Sequence, residues 1–142
     1  MADANVLIAV YLRDSTVRRI ILFADLQLLV PGFIFEELEK HLPDLSERAR
    51  LETSESNDLL TRLRSRFAII PQELVSTRLR GAHGIMGNVD PNDVPYLAAA
   101  LCVPCDGIWS DDPHLKTQDH VKCYSTGELL ERIRREGYPS LP

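Results

Sequence analysis

Along this chain, short unbroken apolar runs alternate with apolar positions at helical spacing. Val6 to Leu12 is apolar nearly throughout, which fits a strand or the start of a buried helix, because an unbroken run carries no period. Asp14-Ser15-Thr16 then offers an N-cap, and Val17, Ile20, Ile21 and Ala24 recur at helical spacing, with Arg13, Arg18 and Arg19 on or near the other face. Gln27 to Val30 predicts a short strand closed by Pro31-Gly32. Phe33 to Leu42, FIFEELEKHL, predicts a helix with Phe33, Leu38 and Leu42 inward, stopped by Pro43. The polar segment from Leu45 to Asp58 predicts one helix and a loop, and Asp58 to Phe67 an amphipathic helix. Phe67-Ala-Ile-Ile70, before Pro71, reads as a further strand. Glu73 to Met86, punctuated by Gly81, Gly84 and Gly87, predicts a helix ending in a flexible turn.

The chain is organised around Asp90 to Lys116, DPNDVPYLAAALCVPCDGIWSDDPHLK. Asp90-Pro91-Asn92-Asp93 is a helix start, with an Asx-type residue before the periodic run and Asp93 inside the first turn. Val94 to Val103 predicts an Ala/Leu-rich helix whose small side chains suit close packing on a sheet. Cys105 to Ser110 is a short apolar run ending in Asp111-Asp112-Pro113, a buried strand that delivers acids at its C-terminal end. Val121 to Tyr124 predicts a last strand. Ser125-Thr-Gly-Glu128 has capping-box spacing, Leu129, Leu130 and Ile133 continue a helix, and Gly137 and Pro139 end it. Short strands alternating with helices imply an α/β fold, a parallel sheet with helices on both faces. No repeat or linker divides the chain, so a single domain over residues 1–142 is expected.

Composition narrows the chemistry. With 142 residues, 44% hydrophobic and 26% charged, the chain is globular and not disordered. A formal charge of -5 argues against broad non-specific adhesion to nucleic acid, yet leaves room for a local basic groove beside an acidic centre. No apolar run reaches the roughly 18 residues of a membrane span, and Met1-Ala2-Asp3 lacks the basic and hydrophobic regions of a signal peptide. An odd cysteine count, 3, makes no disulfide framework, so a cytoplasmic setting is expected. Cys102-Val-Pro-Cys105 has CxxC spacing, but no second pair accompanies it and it straddles a helix end, where packing is the simpler role.

In an open α/β sheet the strand ends converge on one edge. Asp3 follows a vestigial strand at the start of the chain, Glu37 lies one turn into a helix, Asp93 opens a helix, and Asp112 follows a strand. Carboxylates gathered together repel and raise one another's pKa unless a cation intervenes. An all-oxygen donor set points to Mg²⁺ or Mn²⁺ over zinc. Each acid also has a plainer role. Asp93 serves as a helix-dipole partner, Asp90 as a turn residue, Asp111 and Asp112 as a solvated turn, and Glu37, beside Glu36 and Glu39, as part of a charged helix face. Arg13, Arg18, Arg19, Arg78 and Arg80 are either phosphate contacts or solvated surface. His114 and His120 contact substrate or face solvent, and Trp109 belongs to the core.

Taken in order, these segments resemble the PIN domain, a nuclease family that includes the toxins of prokaryotic toxin–antitoxin pairs. Asp3-Ala4-Asn5-Val6-Leu7 is similar to the opening motif, and Glu37-Leu38 to the second, an acid followed by Leu. Asp93-Val-Pro-Tyr-Leu-Ala-Ala-Ala is similar to the third, and Ile108-Trp109-Ser110-Asp111-Asp112 to the fourth. Glu36 competes with Glu37, and Asp111 with Asp112. Leu38 directly after it favours Glu37, and the single residue between it and Ser110 favours Asp112. The resemblance implies a three-layer α/β/α sandwich with a central parallel sheet. It further implies Mg²⁺- or Mn²⁺-dependent cleavage of single-stranded RNA by a metal-activated water. Asp3, Glu37, Asp93 and Asp112 would be the catalytic and metal-site acids, with Ser110 as a supporting hydroxyl, Asn5 orienting an acid and Asp111 alongside. A homodimer and, for a toxin, an antitoxin protein are the family's partners. The competing expectations are a degenerate PIN domain that binds RNA or protein without cutting, which the shortened first strand would favour, and a phosphotransfer domain, for which neighbouring Lys or Thr residues at strand tips are wanting. The segment from Leu42 to Gly87 matches no motif, so nothing in it reads as RNA specificity.

Overall fold

The structure is a computed structural model that describes residues 1–12 and 15–136. The expected roles of Arg13, Asp14, Gly137 and Pro139 lie outside the described residues. Strand β1 (Leu28–Pro31) pairs in parallel with β2 (Phe67–Ile70), Leu28 opposite Phe67 and Pro31 opposite Ile70. Strand β3 (Ile108–Trp109) pairs in parallel with β4 (Cys123–Tyr124). Residues 1–3 join the two pairs. The Ala2 N–H donates to the Leu29 carbonyl at 2.8 Å, Trp109 donates to Met1 at 2.6 Å, and Asp3 donates to Trp109 at 3.3 Å. The first strand is thus reduced to a bridge between Ala2 and Trp109, and this bridge holds Asp3 at the middle of the sheet.

Helices cover both faces. The helices are α1 (Ala4–Tyr11), α2 (Ser15–Phe23), α3 (Phe33–Arg48), α4 (Thr53–Arg66), α5 (Gln72–Ser76), α6 (Leu79–Met86), α7 (Val94–Cys102) and α8 (Thr126–Arg135). One face buries Leu7 and Tyr11 of α1, Ile20 and Ile21 of α2, Ile34 of α3 and Leu63 of α4 against Leu28, Val30 and Trp109. The other buries Val75, Ala82 and Met86 with Leu97, Ala98 and Ala99 of α7 against Ile70 and Ile108. Ile108 and Trp109 therefore point to opposite faces, as alternation along a strand demands. This is the expected α/β/α arrangement with parallel strands. Among the described residues no helix is long and apolar enough to cross a membrane.

Several elements differ from the sequence expectations. Of the two readings of Val6 to Leu12, the buried helix start is the one the structure shows, since α1 runs from Ala4 to Tyr11. Asp3 caps the segment by accepting from the Val6 N–H at 3.1 Å, and the helix that follows buries Val6, Leu7, Val10 and Tyr11. Pro43 does not stop its helix, since α3 runs through it to Arg48. Proline withholds a hydrogen bond from the carbonyl of Glu39, but both residues are exposed and solvent can reach that carbonyl. Helix α4 starts at Thr53, earlier than Asp58, with Glu55 accepting from the Glu52 N–H at 3.2 Å. The segment 73–86 forms two short helices, and Gly81 and Gly84 sit within the second. The strands expected over 105–110 and 121–124 shrink to two residues each.

Candidate metal centre

The bridge at Ala2 and the end of β3 bring the first and fourth motifs side by side. Asp3 is buried, with one carboxylate oxygen held by the Val6 N–H and the other accepting from the Ser110 hydroxyl. Ser110, completely buried, also accepts from the Asp112 N–H at 3.0 Å. A single hydroxyl therefore couples the cap of α1 to the backbone of Asp112. Burial raises the pKa of Asp3, opposed by the bonds from Ser110 and Val6, and the charges of Asp112 and Asp111 add to the rise.

The third motif enters from the other side. A 3-10 turn, Pro91–Asp93, precedes α7 and places Asp93 with only 5% of its surface exposed. Its Oδ2 is buried with no hydrogen-bond partner among the described residues. Burial, the abutting carboxylate of Asp112, and the charges of Asp112, Asp90 and Asp3 push the Asp93 pKa up to about 7. Two further residues complete the cluster. Asp90 caps the turn by accepting from the Asn92 N–H at 3.0 Å, and its Oδ2 lies 2.9 Å from His114 Nδ1. That hydrogen bond lowers the Asp90 pKa and, with the charge of Asp112, raises that of His114. Donor atoms of Asp90, Asp93, Asp112 and His114 all lie within 4.8 Å of one another.

The other expected residues have distinct places. Glu37 lines the same cleft of about 520 Å³ as Asp3, Asn5, Asp93 and Asp112, but its carboxylate is half-exposed and paired with Lys40 at 3.1 Å. Asn5 is an exposed residue of the cleft rim. Asp111 turns away. It accepts from the Thr126 N–H at 2.7 Å and hydroxyl at 2.6 Å, tying the end of β3 to the start of α8. Trp109 is core, as expected, with its indole N–H donating to Thr126 at 3.0 Å. Cys102 and Cys105 donate to carbonyls of α7, and the cysteines are free thiols. Asp90 and His114 were expected as a turn residue and as a solvent-facing or substrate-contacting side chain. The signals that place them together are Asp-x-x-Asp spacing across one helical turn and Asp-x-His spacing after the strand.

The donor set fits a divalent cation. Abutting carboxylates, one of them with an oxygen that no N–H or O–H reaches, form the charge pattern that a cation neutralises. A parallel α/β sheet that carries such a cluster in a cleft beyond its strand ends is the architecture of an α/β domain built around a metal-binding site. A family model described as PIN domain matches residues 1–129, and the chain belongs to that family. No curated protein and no solved structure gives a significant match to it. PIN domains are generally metal-dependent nucleases, and the acidic cluster is compatible with that chemistry.

Proposed function

We propose that this chain is a Mg²⁺- or Mn²⁺-dependent endoribonuclease that hydrolyses phosphodiester bonds of single-stranded RNA. The observation that carries this reading is the buried, unpartnered Oδ2 of Asp93 beside Asp112 in an open cleft. Asp93 and Asp112 would hold the cation, Asp3 would face it from the sheet, and Glu37 would approach from α3 across the cleft. When bound, the cation supplies an activated water and neutralises charge on the phosphate. The protein's own contribution is placement. Ser110 holds the Asp3 carboxylate and the Asp112 backbone in one geometry, and Asn5 stands at the rim, where a strand of RNA would pass. Phe33, Glu37 and His41, four residues apart on α3, line the cleft, which puts an aromatic ring at its wall one turn from an acid. Without a cation the cleft repels phosphate, so RNA binding and metal binding are coupled.

A degenerate domain would be favoured by a first strand too short to hold Asp3. Backbone hydrogen bonds to Leu29 and Trp109 anchor residues 1–3, which supports the catalytic reading. The toxin role, with an antitoxin protein as partner and a homodimer as the working form, rests on the family resemblance. A cytoplasmic setting rests on the odd cysteine count, which the free thiols suit. The test is a panel of single-stranded RNA, duplex RNA and single-stranded DNA with Mg²⁺, Mn²⁺ or EDTA. Internal cleavage of the single-stranded RNA, abolished by EDTA, is the expected result. RNA binding without cleavage in either metal would overturn it in favour of the degenerate domain.

A further inference from the structure

We propose that His114 binds the divalent cation directly through Nδ1, together with Asp90, Asp93 and Asp112, so that the centre selects Mn²⁺ over Mg²⁺. This rests on the metal-dependent reading above and goes beyond its all-carboxylate donor set. His114 Nδ1 lies 2.9 Å from Asp90 Oδ2 and 3.4 Å from Asp112 Oδ1, inside a group whose donor atoms are all within 4.8 Å. Ligands at about 2.0–2.6 Å from a shared ion stand no more than about 5 Å apart when opposite one another, so the group has the span of a coordination shell.

The plainer alternative is a surface ion pair between His114 and Asp90, because 53% of the His114 side chain is exposed. Two features go beyond that. The ring nitrogen stands between two carboxylates, where an ion pair needs one. Independently, Asp93, a member of the same group, has a buried Oδ2 without a hydrogen-bond donor, and the imidazole does not supply one. The ring is also placed by the cluster itself. Asp112 Oδ1 accepts from the His114 N–H at 2.9 Å and so caps the 3-10 turn Pro113–Thr117 that carries the histidine. A carboxylate of the centre thus fixes the backbone of the neighbouring donor, the kind of support that orients metal ligands. Magnesium prefers oxygen donors and keeps its waters, whereas an imidazole nitrogen suits transition metals. One nitrogen among three carboxylates therefore shifts the preference toward Mn²⁺.

The test uses the full chain stripped of metal, titrated calorimetrically with Mn²⁺ and with Mg²⁺, and pulsed EPR of the Mn²⁺-loaded protein to detect nitrogen coupling. The wild type is expected to show nitrogen coupling and to prefer Mn²⁺. His114→Ala is expected to lose the coupling and at least about tenfold of Mn²⁺ affinity with little change for Mg²⁺. His114→Asp is expected to restore binding with the preference moved toward Mg²⁺. Manganese binding that Asp93→Asn abolishes but His114→Ala leaves unchanged, without nitrogen coupling, would overturn the histidine ligand and leave the carboxylate centre standing. Absence of Mn²⁺ binding in the wild type would overturn both.

Discussion

Asp93 is the residue on which the electrostatics of the molecule converge. Its folded pKa of about 7 lies above the ordinary 3.8, so the folded, metal-free chain holds that proton more tightly than the unfolded chain. Asp93 therefore makes the metal-free protein progressively less stable as pH rises from about 4 to about 7, with no further loss above that range. Asp93→Asn is expected to melt several degrees above wild type at pH 8 without metal, with the difference shrinking by pH 4. Thermal denaturation in EDTA at both pH values checks this. Ser110→Ala removes the hydroxyl shared by Asp3 and Asp112, and a loss of about 1–3 kcal/mol in urea unfolding is expected. The clustering of Asp3, Asp93 and Asp112 was legible in the sequence because each stands at the end of a strand or the start of a helix. Asp90 and His114 were not, because their contact spans 24 residues and each also has a local role that its sequence neighbourhood explains.

At the scale of elements, the helices with one apolar face and the strands β1 and β2 were readable, whereas the lengths of β3 and β4 were not. Two-residue strands carry no period, so β3 and β4 were expected too long. The run Val6 to Leu12 was ambiguous because α1 also half-buries Ile8 and Ala9, blurring its polar side, and the Asp3 cap decides the outcome. Pro43 misled because a proline on an exposed flank costs a helix a hydrogen bond without ending it. Gly107, with φ +155°, shows how tightly β3 is seated, since a Cβ there would lie 2.5 Å from the Lys122 carbonyl oxygen. Gly107→Ala is expected to lower stability by about 1–3 kcal/mol, and to weaken metal binding because Ser110 follows β3 directly. Urea unfolding and metal titration of the same variant check both. Asp111→Ala, which frees the start of α8 from β3, is expected to cost about 1 kcal/mol of stability while leaving Mn²⁺ affinity near that of wild type. That outcome separates Asp111 from its neighbour Asp112, the residue that the spacing from Ser110 favours in the sequence.

At the scale of the molecule, the α/β alternation was legible because β1, β2 and β4 are each followed by an α-helix, with a 3-10 turn between β3 and β4, and such crossover connections suit parallel strands. The join between the sheet's halves was not, because three residues at the start of the chain do the work of a central strand. This join places the first acid beside the fourth, and α7, packed across the sheet, adds the third. The same design puts a concentrated negative charge in the cleft of a chain already at -5, a charge pattern that a bound cation would neutralise. Cleavage of a labelled single-stranded RNA in Mn²⁺ tests this most directly, with wild type, EDTA-treated wild type, Asp93→Asn and Asp112→Asn compared side by side. The expected result is cutting by wild type alone, with a loss of at least about 100-fold in either variant. Cleavage that survives EDTA, or that continues at the wild-type rate in Asp93→Asn, would contradict a nuclease built on this centre.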